Sequence, residues 1–220
     1  MSLRKAEFRL KYIICSPGDQ SGFQVFTPSF TRGEDSMRNL RILLLLLIIS
    51  LMTHGVVTAQ SVKAPDWQIS EWINGPGVTL SELKGKVVVV EFFQLWCPGC
   101  NSFSIPLMKK WNRTFSDELA SGDLVLLSIH TVFEGHDYQN PKRLRSFVKE
   151  KGIHHLVGID EHQSGERIPE TMKRYRTRGT PEMAIIDKRG YIRFQKFGGF
   201  NPSPAERLIR QLISEPFVAN

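Results

Sequence analysis

The sequence predicts a layered α/β domain over residues 60–220, and three observations carry that prediction. Val87–Phe93 is a β-branched and aromatic run broken only by Glu91, the pattern of a strand buried on both faces. Directly after it, Phe103, Leu107, Trp111 and Phe115 recur at helical spacing and give one apolar face. Strand and helix signals then alternate to the C-terminus, closing with two strands and a helix.

Each element has its own signal. The lead-in from Ala64 to Gly85 is punctuated by Gly and Pro, so it reads as turns whose Trp67 and Trp72 cover an edge of the core. Asp123–Ile129 is a second buried strand. Asn140-Pro141 opens a helix through Leu144, Phe147 and Val148, with Pro suited to its first turn and Gly152 as its stop. Leu156–Ile159 is a short third strand, and Pro169–Tyr175 a further helix. Glu182–Asp187 and Tyr191–Phe197 flank Lys188-Arg189-Gly190, a hairpin signal. The last helix is Ser203–Ile213, with Ser203 as cap and Pro204 as its first residue.

Composition narrows the function classes. The 220 residues carry a net charge of +7, with 41% hydrophobic and 23% charged residues. These are globular values, and no long basic run or aromatic ladder points to nucleic acid. Three cysteines, at 15, 97 and 100, do not make a disulfide-stapled scaffold. Zinc would need a second close-spaced ligand pair, which neither His154-His155 nor His130 and His136 supplies, so no metal or cofactor is expected.

Residues Ile42–Met52 form an apolar run behind Arg38 and Arg41, followed by Val57-Thr58-Ala59. That is the layout of a secretory signal over 37–59, cut after Ala59; an uncleaved membrane anchor over residues 40–57 is the alternative. Met37 stands where such a signal begins, so residues 1–36 are read as an extension outside the native chain. Export implies a compartment in which disulfides persist, periplasmic or extracytoplasmic.

The chemistry is concentrated in Trp96-Cys97-Pro98-Gly99-Cys100. Disulfide exchange needs one thiolate to attack and a second thiol to release the mixed disulfide. Two cysteines separated by two residues at a helix start meet both needs, because unpaired N–H groups and the helix dipole stabilise the first as thiolate. Pro98 fixes φ where its missing N–H costs little, and Trp96 shields one flank.

The strand and helix around Cys97 and Cys100 resemble the active site of the thioredoxin superfamily. That resemblance implies a central mixed sheet flanked by helices, and protein-disulfide oxidoreductase activity. Gly179-Thr180-Pro181 is similar to the family's cis-proline loop; the resemblance implies that Pro181 is cis and that the Thr180 backbone pairs with substrate. Trp96, Pro98, Gly99, Thr180 and Pro181 are therefore the expected substrate contacts. The 84 residues from Cys97 to Pro181 leave room for an inserted strand–helix unit. With the export signal, this is similar to the TlpA/ResA branch of periplasmic oxidoreductases. Glu91 matches the family's buried acid, which takes the proton of the second cysteine; a strand-end Glu paired with a Lys is the plainer reading.

Phe103 stands where that branch often carries a Glu, and Pro98 follows the first cysteine as in oxidising DsbA-like proteins, so the direction of electron flow is open. Lys173, Arg174, Arg176 and Arg178 either favour a thiolate and acidic partners or form a solvated helix end. His130 lies near the redox site or is a satisfied edge residue. The expected function is a periplasmic disulfide reductase acting on exported protein thiols. Its partners are those proteins and a membrane electron donor of DsbD/CcdA type, with the chain acting as a monomer. A thiol peroxidase of peroxiredoxin kind and a non-catalytic thioredoxin-like interaction module are the alternatives.

Overall fold

The computed structural model describes residues 62–217; the expectations for the extension, the signal and Cys15 lie outside the described residues. Seven strands form one sheet: β1 (Val62–Lys63), β2 (Ile69–Ile73), β3 (Val87–Phe93), β4 (Leu124–His130), β5 (Leu156–Asp160), β6 (Glu182–Ile186) and β7 (Tyr191–Phe197). The helices are α1 (Ile105–Thr114), α2 (Ser116–Ser121), α3 (Pro141–Lys151), α4 (Glu170–Tyr175) and α5 (Pro202–Ser214). Sheet order is β1-β7-β6-β3-β4-β5-β2. Strands β3, β4 and β5 run parallel, while β6 and β7 join antiparallel on one side and β2 on the other. The sheet is mixed, as expected, and its centre is the β3 run that the sequence marked as buried on both faces.

Side chains of β3 alternate across the sheet. Val87 and Val89 pack with Leu107, Met108 and Trp111 of α1 and Ile209 and Leu212 of α5. Val88, Val90 and Phe92 pack on the other face with Trp67, Leu83 and Tyr175. Both faces are thereby covered, the condition that lets so apolar a strand exist. Among the described residues no helix is long and apolar enough to cross a membrane.

The expected elements appear within one or two residues, and the α3 boundaries follow the predicted chemistry. Asn140 accepts a hydrogen bond from the Arg143 N–H as cap, Pro141 opens the helix, and Gly152 closes it at φ 59°. Two expectations change. The α5 cap is Asn201, whose side chain accepts from the Ser203 N–H, so Pro202 and not Pro204 opens that helix. The lead-in also holds a strand: Ile69–Ile73 pairs antiparallel with β5 at the sheet edge. Strand β5 and helix α4 stand between Cys97 and Pro181, and buried Asp160 joins them by accepting from the N–H groups of Thr171 and Met172.

Candidate active site

Strand β3 delivers the chain to the site. Beyond Phe93 it turns through Leu95 and Trp96, and Cys97 takes the cap position of a helical segment that begins at Pro98. The Asn101 N–H donates to the Cys97 carbonyl at 3.1 Å, closing the first turn. Asn101 Nδ2 ties this turn down by donating to the carbonyls of Leu95 and Cys97. Cys97 and Cys100 are joined as a disulfide with Cα atoms 5.2 Å apart. Cys97 Sγ also accepts from the Cys100 N–H at 3.1 Å. That N–H is one of the donors a helix start leaves without a backbone partner. Cys100 is fully buried, whereas Cys97 keeps 6% of its surface.

The helix does not run regularly from the cysteines. Cys100–Ser104 forms a π-helical turn, with the Ile105 N–H donating to the Cys100 carbonyl. Pro106 gives the physical reason, since it cannot donate to a carbonyl four residues back and its ring crowds that carbonyl. The wider turn carries Ser104 into the buried interior alongside Cys100.

Opposite the cysteines lies the Thr180–Pro181 bond, which is cis. The fit between the two loops is close: a Cβ on Gly99 would stand 2.9 Å from Pro181 Cδ. Cys97, Pro98, Trp96, Gly179 and Thr180 line an open groove of about 630 Å³, with Phe133, Arg178 and Phe197 among its other walls. Pro98 is exposed and Gly99 half-buried. Trp96 is 45% exposed and stacks on Tyr138 with ring centres 5.6 Å apart. The Arg143 guanidinium covers the other ring of this pair, 4.0 Å from the Tyr138 centroid.

Within β3, Glu91 shares the α1 side with Val87 and Val89 and is fully buried. The β3–β4 register sets it beside Ser128, whose hydroxyl donates to Glu91 Oε2 at 2.6 Å. Burial pushes the carboxyl above its ordinary value, against the opposing influence of Ser104 and Ser128. Glu91 Oε1 and Ser104 Oγ close no hydrogen bond, although Ser104 stands near enough to affect the acid. The strand-end pairing of Glu91 with a Lys is not what the structure contains: Glu91 meets serines, and none of the described ion pairs includes it.

His130 is 1% exposed and packs on Phe93, a residue of the same apolar cluster as both cysteines. Burial lowers its pKa to about 4, so it is neutral at physiological pH. The basic cluster divides. Lys173 pairs with Glu166 and Glu170 on the surface, and Arg174 reaches the Asp66 carbonyl. Arg176 and Arg178 instead line a groove of about 620 Å³ with Lys63 and Arg174, and Arg178 and Phe197 form walls of both grooves.

The pattern of the AhpC/TSA family matches residues 61–195, a span that holds Glu91, both cysteines and Pro181. The chain belongs to the AhpC/TSA family. DipZ of Mycobacterium bovis is 30% identical over 172 residues, covering 76% of this chain but 23% of DipZ, so the chain spans about a quarter of that relative. Among solved structures, a thioredoxin-like superfamily protein is 38% identical with a TM-score of 0.66, covering 71% of this chain and 99% of that one. A thiol-disulfide isomerase from Corynebacterium glutamicum is also 38% identical, with a TM-score of 0.64 and coverage of 70% and 98%. The fold is accordingly thioredoxin-like, shared with that thiol-disulfide isomerase.

Several site residues carried no sequence signal. Gln94 bridges the site by accepting from Trp96 Nε1 and donating to the Thr131 carbonyl. Gln139 Oε1 accepts the Leu95 N–H at 2.9 Å, and Gln139 Nε2 donates to the Glu134 carbonyl. Gly135, at φ 62°, lets the loop pass directly over the Trp96 ring.

Proposed function

We propose that this chain is an exported disulfide reductase that acts on protein substrates docked between Trp96-Cys97-Pro98-Gly99 and Thr180-Pro181. The observation that carries the reading is the contrast between the two cysteines: Cys97 opens onto the groove and Cys100 is sealed behind it. In the reduced enzyme the Cys97 thiolate attacks a substrate disulfide, forming a mixed disulfide and releasing one substrate thiolate, which takes a proton from water. Cys100 then gives its proton to Glu91 and attacks Cys97 Sγ. The Cys97–Cys100 disulfide forms, the second substrate thiolate leaves, and two electrons have passed from enzyme to substrate. A membrane-bound dithiol donor returns the enzyme to the reduced state.

The resolving thiol is fully buried, and a buried thiol needs a nearby base to ionise. Glu91, whose pKa is raised by burial, is suited to that task. Arg176, Arg178 and Lys63 along the adjoining groove steer acidic substrate segments toward Cys97. Peroxide reduction is the other reading that AhpC/TSA membership admits; an open groove of about 630 Å³ along Trp96, Pro98, Gly179 and Thr180 favours an extended peptide over a small oxidant. Equilibration with glutathione tests the reductase reading. A potential close to about −270 mV is expected, and one near about −120 mV would make the protein an oxidant instead.

A further inference from the structure

Glu91 is fully buried, so a proton that it takes from Cys100 has to leave through the protein. A hydrogen-bonded chain supplies a route. The Ser128 hydroxyl lies 2.6 Å from Glu91 Oε2, and the same oxygen lies 2.7 Å from His155 Nε2. His155 lines a pocket of about 290 Å³ with Lys109, Asn112, Arg113, Gly152 and His154. None of those residues lines the groove at Cys97.

We propose that Ser128 and His155 form a relay that carries the Glu91 proton to this second pocket, separate from the substrate groove. The inference rests on the reading of Glu91 as the acid–base partner of Cys100. While a mixed disulfide occupies the groove, the substrate blocks the front of the site at the moment when Glu91 becomes protonated.

The transfer balances as a single shift along the chain. Glu91 Oε2–H passes its proton to Ser128 Oγ, Ser128 passes its own to His155 Nε2, and a proton on His155 Nδ1 leaves to water in the pocket. The chain then reads His155 Nε2–H donating to Ser128 and Ser128 O–H donating to the Glu91 carboxylate; a tautomer change at His155 resets it. The ring has to stay neutral for this exchange. Burial and neighbouring His154 lower its pKa to about 4, and Lys109 and Arg113 add positive charge at the pocket wall. The backbone at His155 is held in place, since Asn74 Nδ2 donates to the carbonyls of Ile153 and His155 at 2.9 Å each.

Rapid mixing of the reduced full chain with a disulfide-linked peptide separates the attack of Cys97 from the resolving step. Ser128→Ala and His155→Phe are expected to slow resolution, relative to attack in the same traces, by about tenfold. Ser128→Thr, which keeps the hydroxyl, is expected to restore it. Normal resolution in Ser128→Ala and His155→Phe, with Glu91→Gln still slow, overturns the relay and leaves the role of Glu91 intact. Normal resolution in Glu91→Gln overturns the acid–base reading and the relay with it. Slow resolution in Ser128→Thr as well as Ser128→Ala assigns the loss to packing and also overturns the relay.

Discussion

Glu91 is the residue at which function and stability pull in opposite directions. A carboxyl with no exposed surface is costly to ionise, and its pKa in the folded chain stands above the ordinary 4.5. Folded protein therefore holds this proton at pH values where unfolded chain has lost it, and stability falls as pH rises above about 4.5. Glu91→Gln removes that penalty. Urea melts are expected to show the variant more stable than the parent at pH 7, with the gap closing as pH falls toward about 4.5. A variant less stable at pH 7 would show that the carboxylate is welcome where it sits. The burial of Glu91 was legible through the family resemblance, which puts a buried acid at this place in the strand. Its partners were not: Ser128 lies 37 residues away and His155 another 27, joined only through sheet register.

Elements with strong local signals were legible, and those shaped by distant contacts were not. Helix α3 announces its cap, its proline and its terminal glycine in one short stretch. Strand β2 has no such signal, since Ile69–Ile73 alternates weakly and becomes a strand only because β5 offers a free edge. The π-helical turn at Cys100–Ser104 was hidden for another reason: Pro106 signals a disturbed helix, but not whether it kinks, starts or widens. The loop from Thr131 to Asn140 is similarly silent in sequence, although it builds the Trp96 side of the groove. Its decisive residue is Gly135, where a Cβ would fall 1.9 Å from the Trp96 ring and φ is 62°. Gly135→Val is expected to displace Trp96 and weaken substrate docking while the sheet remains folded. Indole fluorescence and the rate of mixed-disulfide formation check this together; an unchanged rate would remove Trp96 from the docking surface.

At the scale of the molecule, a sheet covered on both faces holds two loops, Trp96–Cys100 and Gly179–Pro181, in contact across the end of β3. The fold was legible because buried strands and amphipathic helices alternate plainly, and the cysteines fall at the one junction where a buried strand meets a helix start. Less legible was the way the surface continues from that junction into the groove edged by Arg176 and Arg178, whose side chains only the folded chain brings beside Phe197. The measurement that tests the central claim most directly is a trap. Full-length Cys100→Ser, reduced and mixed with a disulfide-bonded protein, is expected to accumulate a mixed disulfide through Cys97. That adduct should dissolve in dithiothreitol, be absent when Cys97 is also changed to Ser, and form more slowly as salt rises. No adduct from Cys100→Ser, together with rapid consumption of hydrogen peroxide by the parent chain, would contradict the account.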